Sequence, residues 1–214
     1  MNRLCPAQPQ GHGIHRPAAG DVVIGRDADI LSDVDAPGIA AAIWQRIPDP
    51  DFQNWIDALP AGQLPDLRTT VPVHLAEAAL LSACGLAGMP DGPEQHRLAS
   101  DAAALALIYS RILRCTHVRI RFDVSSGVMC PKFHLDNVPA RLLCTYRGAG
   151  TEYVLENHQD DTRRIRSMRT GSAGLFRGRT WPGEERCRLL HRSPAVLAGS
   201  GPRLLLAIDT AETG

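Results

Sequence analysis

The period of the hydrophobic pattern changes near Thr116, and this change divides the chain into two halves. Before it, apolar residues recur at helical spacing, most clearly over residues 93–113. After it, residues 117–124 alternate polar and apolar side chains, which is typical of a half-buried strand. Helices followed by strands predict an α+β fold.

The first half is predicted to be mainly helical over residues 21–115, after a short strand that begins at Asp21. The sequences Asp35-Ala36-Pro37 and Asp49-Pro50-Asp51 mark two helix starts, which predict a helix over residues 38–46 and another from Asp51 onward. Residues 75–86 and 93–113 are predicted to be two further helices. Residues 1–20 are rich in proline, glycine and histidine and are predicted to be a flexible leader.

The second half, residues 116–214, is predicted to be a β-rich, metal-binding domain of short strands. Its size suits a double-stranded β-helix, the jelly-roll barrel of cupins, with the helical half packed on its outside. A chain of 214 residues can bury one sizeable core, so residues 21–214 are predicted to form one compact unit.

The composition excludes some classes of partner. Lys and Arg total 23 and Asp and Glu total 23, so the chain has no net charge that would favour nucleic acid or an acidic membrane surface. No apolar run approaches the roughly 20 residues needed to span a bilayer, and the N-terminus does not read as a signal peptide. We therefore expect a cytoplasmic protein whose six cysteines, which form no C-x-x-C pair, are thiols.

A candidate metal site begins at His134 and Asp136. On a strand, residues two apart point to the same face, so an imidazole and a carboxylate would lie side by side. His191, on a later strand, would complete a two-histidine, one-carboxylate set, which leaves coordination positions open and is typical of non-haem Fe(II) oxygenases. Arg203 follows His191 by 12 residues, and its guanidinium suits the carboxylate of a cosubstrate.

Alternatives exist for the ligands and the lining of this site. Cys130 stands four residues before His134, and its thiolate would favour zinc and close a tetrahedral site. Arg141 and Tyr146 on the next strand are candidates for binding a cofactor, but they lie on opposite faces, so only one can line the pocket. A structural hydrogen-bonded pair of His134 and Asp136 also stays open.

The motifs around these residues resemble a known family. Residues 130–152 read C-P-K-F-H-x-D-x-V-P-x-R-L-L-x-T-Y-x-G-x-G-T-E, with W-P-G and L-H-R-S-P downstream. This stretch resembles the uncharacterised bacterial family DUF1826, over about residues 21–209. The resemblance implies a metal-binding β domain, encoded in some bacteria near genes linked to zinc limitation. In pattern alone, the chain is also similar to Fe(II)/2-oxoglutarate oxygenases, which carry H-x-D, a distal histidine and a basic residue about a dozen positions later.

Three functions follow as hypotheses. The first is an Fe(II)- and 2-oxoglutarate-dependent oxygenase that acts on a small molecule. The second is a zinc-binding accessory protein in zinc homeostasis, which would use Cys130 and work with a metal-handling protein. The third, a zinc hydrolase, is weaker, since no separate general base stands out by its spacing.

Overall fold

A computed structural model describes residues 17–126, 131–194 and 201–211 of the chain. Its α-helices are α1 (Pro50–Ala58), α2 (Ala76–Leu86) and α3 (Pro93–Ile112). Its strands are β1 (Ala18–Ala19), β2 (Asp21–Gly25), β3 (Ile39–Trp44), β4 (Leu67–Pro72), β5 (His117–Ser125), β6 (Ala140–Arg147), β7 (Glu152–Leu155), β8 (Arg166–Ser167), β9 (Ala173–Arg177), β10 (Arg186–Cys187), β11 (Leu189–Arg192) and β12 (Arg203–Thr210). Short 3-10 helices cover Ala28–Asp35, Ala61–Gln63, Val73–Leu75, Glu156–His158 and Thr162–Arg164.

The strands form one large mixed sheet and two small sheets. Seven strands pair in the order β2-β3-β9-β6-β12-β5-β4, and every pair except the parallel pair of β2 and β3 is antiparallel. A second sheet has the order β11-β7-β8, and β1 pairs with β10 in parallel. The central strand of the large sheet is β6, which lies between β9 and β12, and β12 lies in turn between β6 and β5.

The helices cover one face of the large sheet. Leu98 and Leu105 of α3 belong to the same buried cluster as Ile120 of β5 and Leu142 of β6. The Tyr109 hydroxyl of α3 donates a hydrogen bond to the Ala140 carbonyl at 2.9 Å, at the start of β6. Burial of apolar surface between helix and sheet is the main favourable contribution to the stability of such a layer.

The opposite face of the large sheet packs on the β11-β7-β8 sheet. Phe176 of β9 and Leu143 of β6 share a second buried cluster with Tyr153 of β7 and Leu189 of β11. The rings of Tyr153 and Phe176 meet edge to face, with their centroids 6.1 Å apart. The candidate metal residues lie beside this second cluster, between the two sheets.

The first half of the chain is not mainly helical, contrary to the prediction for residues 21–115. It holds α1, α2 and α3, but it also contributes β2, β3 and β4 to the large sheet. Residues 38–46, predicted as a helix, contain β3 instead. Strand β3 is buried on both faces, since Ala42 packs in the helix-side cluster and Ala41 and Ile43 pack in the other. A continuous apolar run of this length fits a doubly buried strand as well as a helix, so periodicity alone does not separate them.

Other predicted elements are confirmed. Helix α1 begins after Asp49, whose side chain accepts hydrogen bonds from the backbone of Asp51 and Phe52 at 3.0 Å each. Helices α2 and α3 and strand β5 match their predicted ranges to within one or two residues. Of the predicted leader, Ala18–Ala19 forms β1, and residues 1–16 lie outside the described ranges.

The described residues bear on membrane association and on the state of the cysteines. Among them, no helix is both long enough and apolar enough to cross a membrane. Four of the six cysteines, Cys84, Cys115, Cys144 and Cys187, are free thiols. The other two, Cys5 and Cys130, lie outside the residues that the structure describes.

Candidate metal centre

The backbone brings His134 and His191 together. The two residues form an isolated antiparallel bridge, in which each backbone N–H donates to the carbonyl of the other at 3.0 Å. His191 belongs to β11, whereas His134 lies in the connection that leads to β6. Asp136 follows two residues after His134, and its side chain points toward both imidazoles.

The three side chains offer nitrogen and oxygen atoms that all lie within 4.8 Å of one another. His191 Nε2 is 3.0 Å from Asp136 Oδ2, and His134 Nε2 is 3.8 Å from Asp136 Oδ1. Two ligands at right angles on one metal, each about 2.1 Å from it, would be about 3 Å apart. The separation between His191 and Asp136 therefore suits a shared divalent cation.

The site is buried on one side and accessible on the other. His191 and Asp136 are buried, with 5% and 8% of their surface exposed, whereas the His134 side chain is 36% exposed. The ring of Phe176 packs against His191, with the centroids 5.3 Å apart. The site is therefore open to solvent on the side of His134.

The tautomer of His134 is set by the backbone. Its Nδ1 lies 3.0 Å from the Lys132 carbonyl oxygen, which can only accept, so Nδ1 carries the proton. In the neutral imidazole the lone pair is then on Nε2, which faces Asp136 and can bind a metal. A histidine ligand commonly has its second nitrogen bound to a carbonyl in this way.

The protonation states of Asp136 and His191 also suit a metal ligand set. Burial alone would raise the pKa of the Asp136 carboxyl, but His191 and the positive charge of Arg141 outweigh burial and lower that pKa below its usual value. Burial lowers the pKa of the His191 imidazole, although Asp136 partly opposes this effect. Carboxylate and neutral imidazole are the forms that bind metals.

Buried polar atoms without a hydrogen-bond partner provide a further test of whether the site suits a bound cation. His191 Nδ1 is buried and makes no hydrogen bond within the described part of the chain, and buried Asp136 Oδ2, although 3.0 Å from His191 Nε2, is not in hydrogen-bond geometry with it. Buried polar atoms without a partner are uncommon in native proteins and call for an explanation. A divalent cation bound by His134, Asp136 and His191 would satisfy Asp136 Oδ2, so the residues present fit such an ion.

Arg141 supports the carboxylate of Asp136. Its guanidinium donates one hydrogen bond to Asp136 Oδ1 and two to Asp209 Oδ2, the latter at 3.0 and 2.6 Å. Asp209, near the end of β12, is only 1% exposed. Arg141 was predicted to bind a cofactor, whereas its observed contacts fix the orientation of Asp136.

Arg203 lies on the same face of the large sheet, at the start of β12. Its guanidinium donates to the Ala149 carbonyl at 2.8 Å and to the hydroxyls of Thr145 and Thr151 at 3.1 and 3.3 Å. Its Nη1 is buried and has no hydrogen-bond partner among the described residues. Burial lowers the pKa of Arg203 to about 10, so the side chain is still a cation at neutral pH. A buried cation with a free donor fits an anionic ligand.

The structure does not bring Tyr146 to the site. Residues alternate along β6, so Arg141 and Thr145 face the small sheet while Tyr146 faces the helices. The Tyr146 hydroxyl donates to Asp101 of α3 at 2.6 Å, and Asp101 also pairs with Arg46. Tyr146, predicted to bind a cofactor, thus belongs to the buried contact between helix and sheet. Cys130, predicted as a further ligand, lies outside the described residues.

The loop after β9 holds the backbone that carries Asp136. The backbone N–H of Arg179 donates to the Asp136 carbonyl at 2.8 Å, and that of Gly178 donates to the Pro139 carbonyl at 2.7 Å. A Cβ atom on Gly178 would lie 1.9 Å from the Val138 carbonyl oxygen. Only glycine permits this close approach of two backbones.

The arginine-rich stretch of residues 163–179 does not act as one surface. Arg163 and Arg164 are exposed and pair with Asp161. Arg177, by contrast, is buried, pairs with Glu185 at 2.7 Å and donates to the carbonyl of Val34. The stretch therefore contains both exposed arginines and one buried structural arginine.

The family of the chain follows from its match over most of its length. A family model described as "Protein of unknown function (DUF1826)" matches residues 25–209. The chain belongs to the DUF1826 family. No curated protein matches the sequence of this DUF1826 chain at a significant level.

Several solved structures are similar to this DUF1826 protein at low identity. Dioxygenase for auxin oxidation 1 from Arabidopsis thaliana, as a complex with 2-oxoglutarate, is 12% identical over 86% of this chain and 72% of that one, with a TM-score of 0.45. A Pseudomonas putida prolyl-4-hydroxylase is 14% identical over 87% and 99% of the two chains, with a TM-score of 0.44. A viral collagen prolyl hydroxylase from Paramecium Bursaria Chlorella virus-1 is 10% identical over 82% and 98%, with a TM-score of 0.42.

Sequence reasoning missed two parts of the DUF1826 site. Asp209 was not among the predicted site residues, although a carboxylate in the otherwise apolar run L-L-L-A-I-D is a signal of a buried charge pair. Thr145 and Thr151, which hold Arg203, carry no signal of their own, because threonine is common in strands.

Proposed function

We propose that this DUF1826 protein is an Fe(II)- and 2-oxoglutarate-dependent oxygenase that acts on a small molecule. The observation that carries the proposal is the combination, on one side of the large sheet, of the His134, Asp136 and His191 set with the buried cation Arg203. Two imidazoles and one carboxylate form a ligand set that suits Fe(II) and leaves positions open. Arg203 offers a free donor to a carboxylate.

In this proposal His134, Asp136 and His191 would hold the metal. Bound Fe(II) and 2-oxoglutarate supply the oxidation of a substrate by O₂, coupled to decarboxylation of the cosubstrate. The chain provides ligand geometry: the backbone bridge fixes the two histidines, and Arg141 orients the carboxylate of Asp136.

Arg203 would bind the far carboxylate of 2-oxoglutarate. Thr145, Thr151 and the Ala149 carbonyl hold its guanidinium in one orientation, so little conformational freedom is lost on binding. A charge-assisted hydrogen bond in a buried site contributes roughly 1.5–3 kcal/mol. Leu143, which lies between Arg141 and Thr145 on the same face of β6, and Phe176 keep this region apolar and exclude water.

The direct test is titration of 2-oxoglutarate into the anaerobic, Fe(II)-loaded protein, with detection of the metal-to-ligand absorption band. We expect a saturable band in the wild-type protein and none in the His134→Ala, Asp136→Ala or His191→Ala variants. His96→Ala is the matched control, because His96 is an exposed histidine remote in sequence from the site. Absence of a band in the wild-type protein at millimolar 2-oxoglutarate, together with full Fe(II) loading, would contradict the proposal.

Metal content distinguishes the oxygenase hypothesis from that of a zinc-binding accessory protein. Metal analysis of protein purified without chelators reports which metal the site retains. Stoichiometric zinc that is lost in Cys130→Ser, with no response to 2-oxoglutarate, would replace the oxygenase proposal by the zinc-binding one, since a thiolate ligand strongly favours zinc.

A further inference from the structure

Arginines surround a polar cavity beside the candidate metal centre. The cavity has a volume of about 270 Å³ and lies on the face of the large sheet that carries Arg141. Arg68 of β4, Arg119 and Arg121 of β5, and Arg141 of β6 line it, and Asp209 is the acidic residue in its lining. The cavity thus extends from the support of Asp136 to the β4 edge of the sheet.

Strand register places these side chains in neighbouring rows. Asp209 of β12 is paired with Arg141 on one side and with Arg119 on the other, and Arg119 is paired in turn with Thr70. Arg121 is two residues from Arg119 and is paired with Arg68. Because strands lie about 4.8 Å apart, Arg119 stands about 10 Å from Arg141 across the sheet.

The arginines of β4 and β5 lack close acceptors. Nη atoms of Arg68 and Arg121 come within 3.9 Å of Asp123, and Arg119 Nη1 lies 3.8 Å from Asp209 Oδ1. These distances are too long for hydrogen bonds. Within the described ranges, none of the three guanidiniums donates a side-chain hydrogen bond, in contrast to Arg141, which donates three.

Arg68 and Arg121 are also an unfavourable pair. They stand directly opposite each other on neighbouring antiparallel strands, where like charges destabilise a sheet. Asp123 compensates only part of this charge, since one carboxylate serves both arginines at long range. An anion between β4 and β5 would relieve the repulsion and supply the missing acceptors.

We infer that this cavity binds a phosphate or sulfate group of a small-molecule substrate. A tetrahedral oxyanion offers acceptors in several directions, which suits donors from Arg68, Arg119 and Arg121 on two strands. That the bound molecule is the one oxidised rests on the proposed function. The binding of the oxyanion itself requires no metal. It would hold one end of the substrate about 10 Å from Arg141, so that the rest can reach the accessible side of His134.

The test is calorimetric titration of inorganic phosphate, sulfate and acetate into the metal-free protein in the presence of chelator. We expect phosphate and sulfate to bind, and acetate to bind at least tenfold more weakly. The double variant Arg119→Gln, Arg121→Gln should bind phosphate at least tenfold more weakly than the wild-type protein. Arg111→Gln, at an exposed arginine of α3, is the matched control and should bind as the wild-type protein does.

Folding of the double variant is checked by circular dichroism and thermal unfolding. Removal of two like charges from a sheet face should leave the melting temperature unchanged or slightly higher. If the variant does not fold, the single change Arg121→Gln takes its place, with the same expected direction. Equal phosphate affinity in folded variant and wild-type protein, or no binding of either oxyanion, would overturn the inference.

Two further outcomes are decisive. Acetate binding as tight as phosphate binding would overturn the oxyanion assignment. An oligothymidylate that binds more tightly than phosphate, and loses affinity in the same variants, would overturn the assignment to a small molecule. The two hypotheses can fail independently. If the proposed function is wrong, the Fe(II) protein shows no 2-oxoglutarate band, but the metal-free protein can still bind phosphate.

Discussion

At the scale of single residues, the candidate metal site depends on a chain of buried ion pairs. Asp136 contacts Arg141, and Arg141 contacts Asp209. Each of these groups is buried or nearly so, and a buried charge without a partner is strongly destabilising. The arrangement therefore makes Arg141 a positioning residue for the candidate metal ligand.

Arg141→Gln should weaken metal binding while the metal ligands stay in place. Loss of an outer contact to a ligand typically costs a metal site about 10–100-fold in affinity. Titration of Mn(II), as a redox-stable divalent probe, into metal-free protein measures the change. Arg121→Gln, which alters an arginine on the same sheet face without contact to Asp136, is the control. Equal losses in both variants would refute a specific role for Arg141.

Arg203→Gln should affect 2-oxoglutarate and not the metal. Glutamine keeps a donor but removes the charge, so cosubstrate affinity should fall by about one to two orders of magnitude. The expected result is an Fe(II) affinity equal to that of the wild-type protein, together with a higher 2-oxoglutarate concentration at half-saturation of the absorption band. A simultaneous loss of Fe(II) would instead indicate a structural role for Arg203.

The lowered pKa of His191 predicts how the stability of the metal-free protein depends on pH. This pKa is lowered by burial, so below about pH 6.5 the unfolded chain takes up a proton that the folded protein resists. The free energy of unfolding of the metal-free protein should then decrease as pH falls from 7 to 5, by at most about 1.4 kcal/mol per pH unit. The lowered pKa of Asp136 acts only at lower pH, near and below its usual value of 3.8.

Urea unfolding at several pH values checks this dependence. His191→Gln should lose part of the decrease between pH 7 and 5, and His96→Gln, at an exposed histidine, should retain it. Identical pH profiles for wild-type protein and His191→Gln would contradict the assignment of the effect to His191.

At the scale of elements, the site is held by connections between strands. Residues 178–180 donate backbone hydrogen bonds to the segment that contains Asp136, and His134 pairs with β11. The histidine and the carboxylate therefore depend on backbone contacts that no side-chain pattern reveals.

Gly178→Ala should disturb this connection. The new Cβ would lie 1.9 Å from the Val138 carbonyl oxygen, so one backbone segment must move. We expect a loss of about 1–3 kcal/mol in the free energy of unfolding and weaker metal binding, because Asp136 moves with its segment. Urea unfolding and Mn(II) titration measure the two effects. Gly62→Ala, where a Cβ would have open space, should change neither.

The elements also show what could be predicted from sequence. Strand β5 was predicted because one of its faces is covered by helices and the other is polar, which produces alternation. Strand β3 was mistaken for a helix, since burial on both faces removes the alternation. His134, Asp136 and His191 were predicted to meet from their spacing and type. Whether Arg141 or Tyr146 faces the site depended on the register of β6, which only the pairing of the strands reveals.

At the scale of the whole molecule, the candidate centre joins parts of the chain that are distant in sequence. Asp136 is tied through Arg141 and Asp209 to the large sheet, whereas His191 belongs to the small sheet. A metal ion bound by both residues would connect the two sheets.

Metal binding should therefore stabilise the protein as a whole. At a free Mn(II) concentration one hundred times the dissociation constant, the free energy of unfolding should rise by about 2.7 kcal/mol. Thermal or urea unfolding with and without Mn(II) measures this increase. The Asp136→Ala variant should show no increase at the same Mn(II) concentration, and an equal increase there would place the metal elsewhere.

The geometry of β6 limits the length of any ligand that spans the site. Arg203 is fixed at Thr145, and Asp136 is fixed at Arg141, so four residues of one strand separate the two points, about 13 Å along its axis. Strand β6 is hydrogen-bonded on both sides, to β9 and β12, and cannot stretch. The separation between these two points is therefore constant, and in the proposed function it would favour one spacing between the metal-bound end and the far carboxylate of a cosubstrate over a shorter or longer one.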